Sequence, residues 1–258
     1  IADDLHLNAG LLLDAEGHYQ AAWKHFTAQQ KKSPESVELL SQNDEKVVQK
    51  WPTTELEKQP VFVFSDTTTG HAAFVNRLKH HGIETLTDRF QASARQDLFA
   101  RQWQFQEINE LSDTRCHLLR KKYRQHLKRL HQQGPFADFI PSSSLHMALI
   151  KKIFPAAQVI ILDRNMADRV LHQRVFANGL YSADDFRALK NQMIAMNANI
   201  RLVDIDALIN NKTSLMDELS AMFEVTIDSY EQPEVMAMQQ FMLPEAHWKK
   251  YREFMTAS

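Results

Sequence analysis

Two stretches of the chain hold residues whose types and spacing can do chemistry. The first is Ser65-Asp66-Thr67-Thr68-Thr69-Gly70, a polar turn that follows the apolar run Val61 to Phe64 and leads into a helical pattern. Hydroxyls and a flexible Gly at a helix N-terminus let backbone N–H groups wrap a phosphate. The same residue types equally make a threonine-rich helix cap, in which Asp66 or a Thr bonds the first-turn N–H groups itself. A nucleoside-triphosphate P-loop needs Gly-Lys-Ser/Thr, and this turn continues Gly70-His71-Ala72, which argues against magnesium-dependent ATP or GTP hydrolysis. The second stretch is Asp163-Arg164, just past the apolar run Val159 to Leu162, followed by Asp168, Arg169 and His172. Asp168, His172 and Phe176 share one helical face at i, i+4 spacing, with Arg169 one residue round from it. An Arg at a strand's carboxyl end suits a bidentate grip on phosphate, and equally a salt bridge to Asp163 or Asp168.

Both stretches need a sheet to aim them. From Pro60 onward, short apolar runs alternate with helical patterns, the sign of an α/β fold with a parallel sheet and crossover connections. The expected strands are Val61 to Phe64, Ile83 to Leu86, Phe136 to Ile140, Val159 to Leu162 and Ile200 to Val203. The expected helices run from Gly70 to His81, as a charged pair across Ala94 to Gln133, and then over Ser143 to Ile153, Met166 to Asn178 and Asp184 to Asn197. Two more follow, Ser214 to Phe223 with Ser214 as a capping residue, and Glu245 to Phe254. In such sheets ligands collect outside the carboxyl ends of the strands, where Ser65 and Asp163-Arg164 lie.

Before the sheet, residues 4 to 32 place small residues where two antiparallel helices would touch. Gly10, Gly17, Tyr19, Ala22, Phe26 and Pro34 stand at tetratricopeptide spacings. One helical hairpin is expected; it either continues a stack or rests on the domain that follows, and it offers a surface for a protein partner. A polar stretch from Ser41 to Gln59, broken at Pro52, reads as an exposed linker helix. The expected organisation is a hairpin and linker helix over 1–50 and an α/β domain over 58–258.

With 258 residues and 44% hydrophobic content, the chain can bury a sizeable core. It has no apolar run long enough to span a membrane, and residues 1 to 30 lack the pattern of a signal peptide, so a cytoplasmic setting is expected. The formal charge of -2 argues against a general nucleic-acid binder. The basic run from Leu118 to Gln133 spreads its charges around most of the helix, as a solvated face does. The single Cys116 fits a reducing compartment as a packed thiol.

Taken in order, the hairpin, the polar linker, "PVFVFSDTTTGHAAFVNRL", the region around Asp163-Arg164, "IRLVDIDALINNKTSLMDELSAMFEV" and "HWKKY" resemble the bacterial tetratricopeptide-linked sulfotransferases over nearly the whole chain. The resemblance implies a P-loop-like α/β fold that binds 3′-phosphoadenosine-5′-phosphosulfate (PAPS) without a metal. The sulfuryl group would pass to a hydroxyl or amine of a small-molecule, glycan or peptide acceptor. The family's Pro-Arg-Ser-Gly-Thr-Thr donor loop falls on Thr67, Thr68, Thr69, Gly70, His71 and Ala72, with Ser65 at the strand end; Gly70 is retained and Thr68 stands in the Arg position. An Asp-Lys-x-Pro stretch becomes Asp138-Phe139-Ile140-Pro141, so its Lys is gone. The residues that hold the 3′-phosphate map onto Arg164 and Asp168, with His172 where a Ser would be. A Tyr-Glu-x-Leu stretch maps onto Ile205-Asp206-Ala207-Leu208. For the base, the resemblance points to His71, Glu84 or Asp88. Sulfuryl transfer builds charge on the leaving oxygen, and each missing cation typically costs on the order of hundreds-fold in rate. The same residues therefore support a second expectation: a degenerate sulfotransferase fold that has lost its chemistry and serves as a binding or scaffold module.

Overall fold

The computed structural model describes residues 2–28, 37–53, 60–87, 97–129, 134–176, 181–197, 199–228 and 243–255. β1 (Val61–Phe64) is apolar and buried at all four positions, as a strand covered on both faces must be. It lies at the centre of an all-parallel sheet with β2 (Glu84–Leu86), β3 (Phe136–Ile140), β4 (Gln158–Asp163) and β5 (Ile200–Asp204), in the order β2-β3-β1-β4-β5. Val61 pairs with Ala137 on one side and Gln158 on the other, and β4 continues to pair with β5 out to Asp163 and Asp204. The five strands match the expected α/β sheet, with ends shifted by a residue at β2, β4 and β5.

Around the sheet, in chain order, run α1 (Ala2–Ala15), α2 (Tyr19–Ala28), α3 (Gln42–Gln49), α4 (His71–His80), α5 (Phe105–Asn109), α6 (Asp113–Arg129), α7 (Ser144–Ile153), α8 (Met166–Phe176), α9 (Ala183–Met196), α10 (Ile205–Ile209), α11 (Thr213–Phe223) and α12 (Arg252–Met255). The alternation of β1 divides its neighbours into two layers. Val61 and Val63 join a core with α4, α10 and α11, while Phe62 and Phe64 join one with α3, α5, α6, α7 and α9. α3 is less exposed than its charged sequence suggests: Val48 is fully buried, and the Gln192 side chain bonds both the N–H and the carbonyl of Leu40, each at 2.9 Å. Lys151 joins two helix ends there, donating to Met196 O at 2.6 Å and Gln49 O at 3.4 Å.

The N-terminal helical pair rests on α8 and the C-terminal residues in a third core of Ala22, Phe26, Leu171, Val175, Leu243 and Tyr251. Gly10 is required where α1 crosses α2, since a Cβ there would meet the Phe26 ring at 2.3 Å. The expected helix from Glu245 to Phe254 is broken into a 3-10 turn, His247–Lys250, and α12. Ala246 takes a left-handed φ of 58°, and its N–H turns out of any helix to bond Asp168. Ser214 does not cap α11; Lys212 holds that position, and no side chain caps it.

Candidate functional site

β1's connection leaves toward β2 and β4's leaves toward β5, so the crevice of this sheet opens between the carboxyl ends of β1 and β4. Ser65 to Gly70 and Asp163-Arg164 meet there, and α8 brings Asp168, Arg169 and His172 across the crevice. The two stretches found in the sequence are thus one place in the fold.

The turn bonds to itself. Thr67–Thr69 form a 3-10 turn with Asp66 as its cap: the carboxylate Oδ1 accepts from Thr68 N at 2.7 Å, and Asp66 N donates to Thr69 Oγ1 at 3.0 Å. The Thr69 hydroxyl donates to Asp66 O at 2.7 Å, and Thr69 N donates to the same carbonyl at 3.0 Å. Gly70 then takes φ 74° to turn the chain into α4, a left-handed value that Gly accepts without Cβ strain. Of the two expectations for this turn, the arrangement is the self-capped one. The N–H groups of Thr68 and Thr69, which would wrap an anion, serve Asp66.

Arg169 closes this cap from α8. It is fully buried, donates through Nε to Thr68 Oγ1 at 3.0 Å, and lies with its guanidinium 3.8 Å from the Phe186 ring centre. Its Nη2 is 3.8 Å from Asp66 Oδ2, an ion pair too long to be a hydrogen bond. Neither Nη1 nor Nη2 has a hydrogen-bond partner among the described residues. Burial pulls the Arg169 pKa below its ordinary value, opposed by Asp66 and Asp163. A cation therefore stands against Thr68, where the resemblance expects an Arg within the loop, but it comes from another helix and faces a carboxylate.

Arg164 and Asp168 are both buried and both engaged by the chain itself. Arg164 Nε donates to Asp206 Oδ2 at 3.2 Å and Nη2 to Leu243 O at 2.5 Å, leaving Nη1 without a partner among the described residues. Burial raises the Asp206 pKa, and the pairing with Arg164 offsets part of that rise. Neither carboxylate expected to pair with Arg164 does so: Asp163 takes Lys190 Nζ at 2.6 Å, and Asp168 accepts Ala246 N at 2.9 Å and Trp248 N at 3.2 Å. Asp168 thus organises the C-terminal turn. His172 is buried with its ring 4.5 Å from that of Phe176.

His71 sits half-buried at the start of α4, its Nδ1 2.7 Å from Ser65 Oγ and its ring edge-on to Phe139 at 4.7 Å. Glu84 is not brought to it. As the first residue of β2, opposite Phe136, Glu84 lies at the amino-terminal edge of a parallel sheet, exposed and about 13 Å of strand from the carboxyl edge. Asp88 lies outside the described residues, as does the side chain of Thr67. Asp138, in the stretch matching the family's second element, is a buried strand residue that accepts from Tyr123 OH at 2.7 Å. Sequence reasoning offered Asp66 only as a candidate cap and Asp206 only within a motif match, and it placed Arg169 beside a helix face without its reach to Thr68. For Asp66 the signal was present, since Asp two residues before a Thr is N-cap chemistry. Among the described residues no group of three or more His, Cys, Asp or Glu can hold a metal ion. No family model matches the chain, and no curated protein matches it.

Proposed function

We propose that this chain is a sulfotransferase-like α/β domain that does not bind the sulfonated adenosine donor and acts as a non-catalytic binding or scaffold module. The observation that carries this reading is Asp66, whose carboxylate caps Thr68 and faces Arg169 inside the turn. The residues present do not fit PAPS. A donor phosphate in the turn would have to compete with the Asp66 carboxylate for Arg169, which lies 3.8 Å from it. The donor would also have to displace Thr68 N–H from Asp66, and Ala246 and Trp248 N–H from Asp168.

A second reading, PAPS-dependent sulfuryl transfer, is favoured by one observation: Arg164 Nη1 and Arg169 Nη1 and Nη2 are buried donors without hydrogen-bond partners among the described residues, on either side of the crevice. Calorimetric titration with 3′-phosphoadenosine-5′-phosphate separates the two. The scaffold reading expects no heat of binding at millimolar ligand. Micromolar binding that Arg164→Ala abolishes, with sulfur-35 passing from the donor to any acceptor, would overturn it.

A further inference from the structure

The helical pair is closed at one end by the turn at Gly17, where φ is 80°, and at its open end by two histidines. His6 lies in the second turn of α1 and His25 in the last turn of α2. Their Nδ1 atoms face each other at 3.0 Å, with the ring centres 5.3 Å apart and the planes at 48°. Both residues are half-buried, and neither ring has another hydrogen-bond or charge partner among the described residues. Two neutral imidazoles in this arrangement share one proton: one Nδ1–H donates and the other Nδ1 accepts. Moving that proton to the same ring's Nε2, its other tautomer, leaves two Nδ1 lone pairs facing one gap and gives up a single hydrogen bond.

A transition metal is the ligand such a gap selects. Metal–imidazole bonds of about 2.0–2.1 Å reaching across 3.0 Å subtend roughly 95° at the metal, whereas tetrahedral coordination, the preference of Zn2+, needs the nitrogens about 3.3 Å apart. The pair therefore suits two adjacent corners of a tetragonal ion, the geometry of Cu2+ and Ni2+. We propose that His6 and His25 form a two-histidine site for Cu2+, with Ni2+ held more weakly in the same geometry and water at the remaining positions. The ion clasps the beginning of α1 to the end of α2, opposite the Gly17 turn. Both ligands belong to the helical pair, so the site stands or falls independently of the crevice.

Calorimetric titration of the full chain with Cu2+, Ni2+ and Zn2+ in a non-chelating buffer tests this. Cu2+ binds one to one and more tightly than Ni2+ or Zn2+, as both the angle and the general order of divalent affinities require. His6→Gln and His25→Gln each lose that binding, since neither variant keeps both nitrogens. Electron paramagnetic resonance of the wild-type protein with one equivalent of Cu2+ shows splitting from two imidazole nitrogens. That count needs no variant, so it decides the matter even where a substitution disturbs the hairpin. The chain has 12 His, so Cu2+ bound equally by wild type and by both variants is an adventitious ion only, and overturns the proposal. Absence of one-to-one binding, a spectrum with fewer than two imidazole nitrogens, or Zn2+ bound more tightly than Cu2+ would each overturn it as well.

Discussion

The reading of the turn rests on the buried pair of Asp66 and Arg169, and Asp66→Asn isolates its charge. Asn keeps an oxygen that accepts from Thr68 N–H, so the cap survives while the carboxylate's charge is lost. The Asp66 to Arg169 separation is 3.8 Å, and both side chains are out of water. At an effective dielectric of about 20, two unit charges at that distance attract by about 4 kcal/mol, and breaking a buried pair by removing one partner typically costs about 3–5 kcal/mol. For a chain of this size each kcal/mol moves Tm by about 2–4 °C, which places the Asp66→Asn transition roughly 8–16 °C below wild type. Adding Arg169→Met removes the stranded cation, and the double variant recovers most of that loss, because replacing both partners of a buried pair is often close to neutral. Urea or calorimetric unfolding of the four proteins measures the coupling directly. A further arm uses inorganic sulfate: at equal ionic strength it raises the Tm of Asp66→Asn more than that of wild type, since the anion can answer Arg169 only once the carboxylate charge is gone. An Asp66→Asn protein within about 1 kcal/mol of wild type, or a double variant whose loss equals the sum of the singles, would show that the pair does not hold the turn.

Two other features give expectations of their own. Asp14 of α1 accepts from His247 Nε2 at 2.8 Å and from Tyr251 OH at 2.5 Å, tying the helical pair to the C-terminal turn. Burial raises the Asp14 pKa, but the bonds from His247 and Tyr251 outweigh it and leave a net lowering; burial and Asp14 push Tyr251 up. The lowered Asp14 contributes stability that is present above its unfolded pKa of about 3.9 and lost as pH falls through the folded value. The raised Tyr251 contributes stability that is present below its unfolded pKa of about 10 and lost as pH rises beyond it. Urea midpoints followed against pH therefore fall on both sides of that window, and Tyr251→Phe flattens the alkaline fall; an unchanged alkaline slope in that variant refutes the assignment. Cys116 is buried and its thiol pKa is raised chiefly by burial, so the native protein resists thiol reagents at neutral pH and reacts only after unfolding. Rapid labelling of folded protein would contradict the packed position.

The parts of the fold that were legible in the sequence are those where local pattern and tertiary environment agree. β1, β3 and β4 are nearly unbroken apolar runs bounded by polar residues, and a strand buried on both faces must read that way. The C-terminal helix failed because its local preference was overruled: Asp168, 78 residues away, takes Ala246 N–H and turns the chain at a left-handed residue. Arg169 could be placed on a helix face by periodicity, but no local pattern says that it reaches Thr68, 101 residues earlier. Glu84 shows a signal that was available and unused. The second apolar run ends at Leu86, and in a parallel sheet the first residue of a strand lies at the edge away from the ligand crevice.

The crevice residues show why motif positions underdetermine function. Asp, Arg and Thr at the carboxyl end of a parallel sheet are donors and acceptors with strong demands, and burial makes unmet demands expensive. A ligand can meet them, or the chain can. Here the chain reaches Asp168 through Ala246 and Trp248, Arg164 through Asp206 and Leu243, and Thr68 through Asp66 and Arg169. The segment that engages Arg164 and Asp168 also carries His247 and Tyr251, which hold Asp14 of the helical pair. Any ligand that claimed Arg164 and Asp168 would therefore compete with Leu243, Ala246 and Trp248, and so with the docking of α1 and α2. The crevice and the helical pair are joined by one stretch of backbone, so loosening either loosens the other.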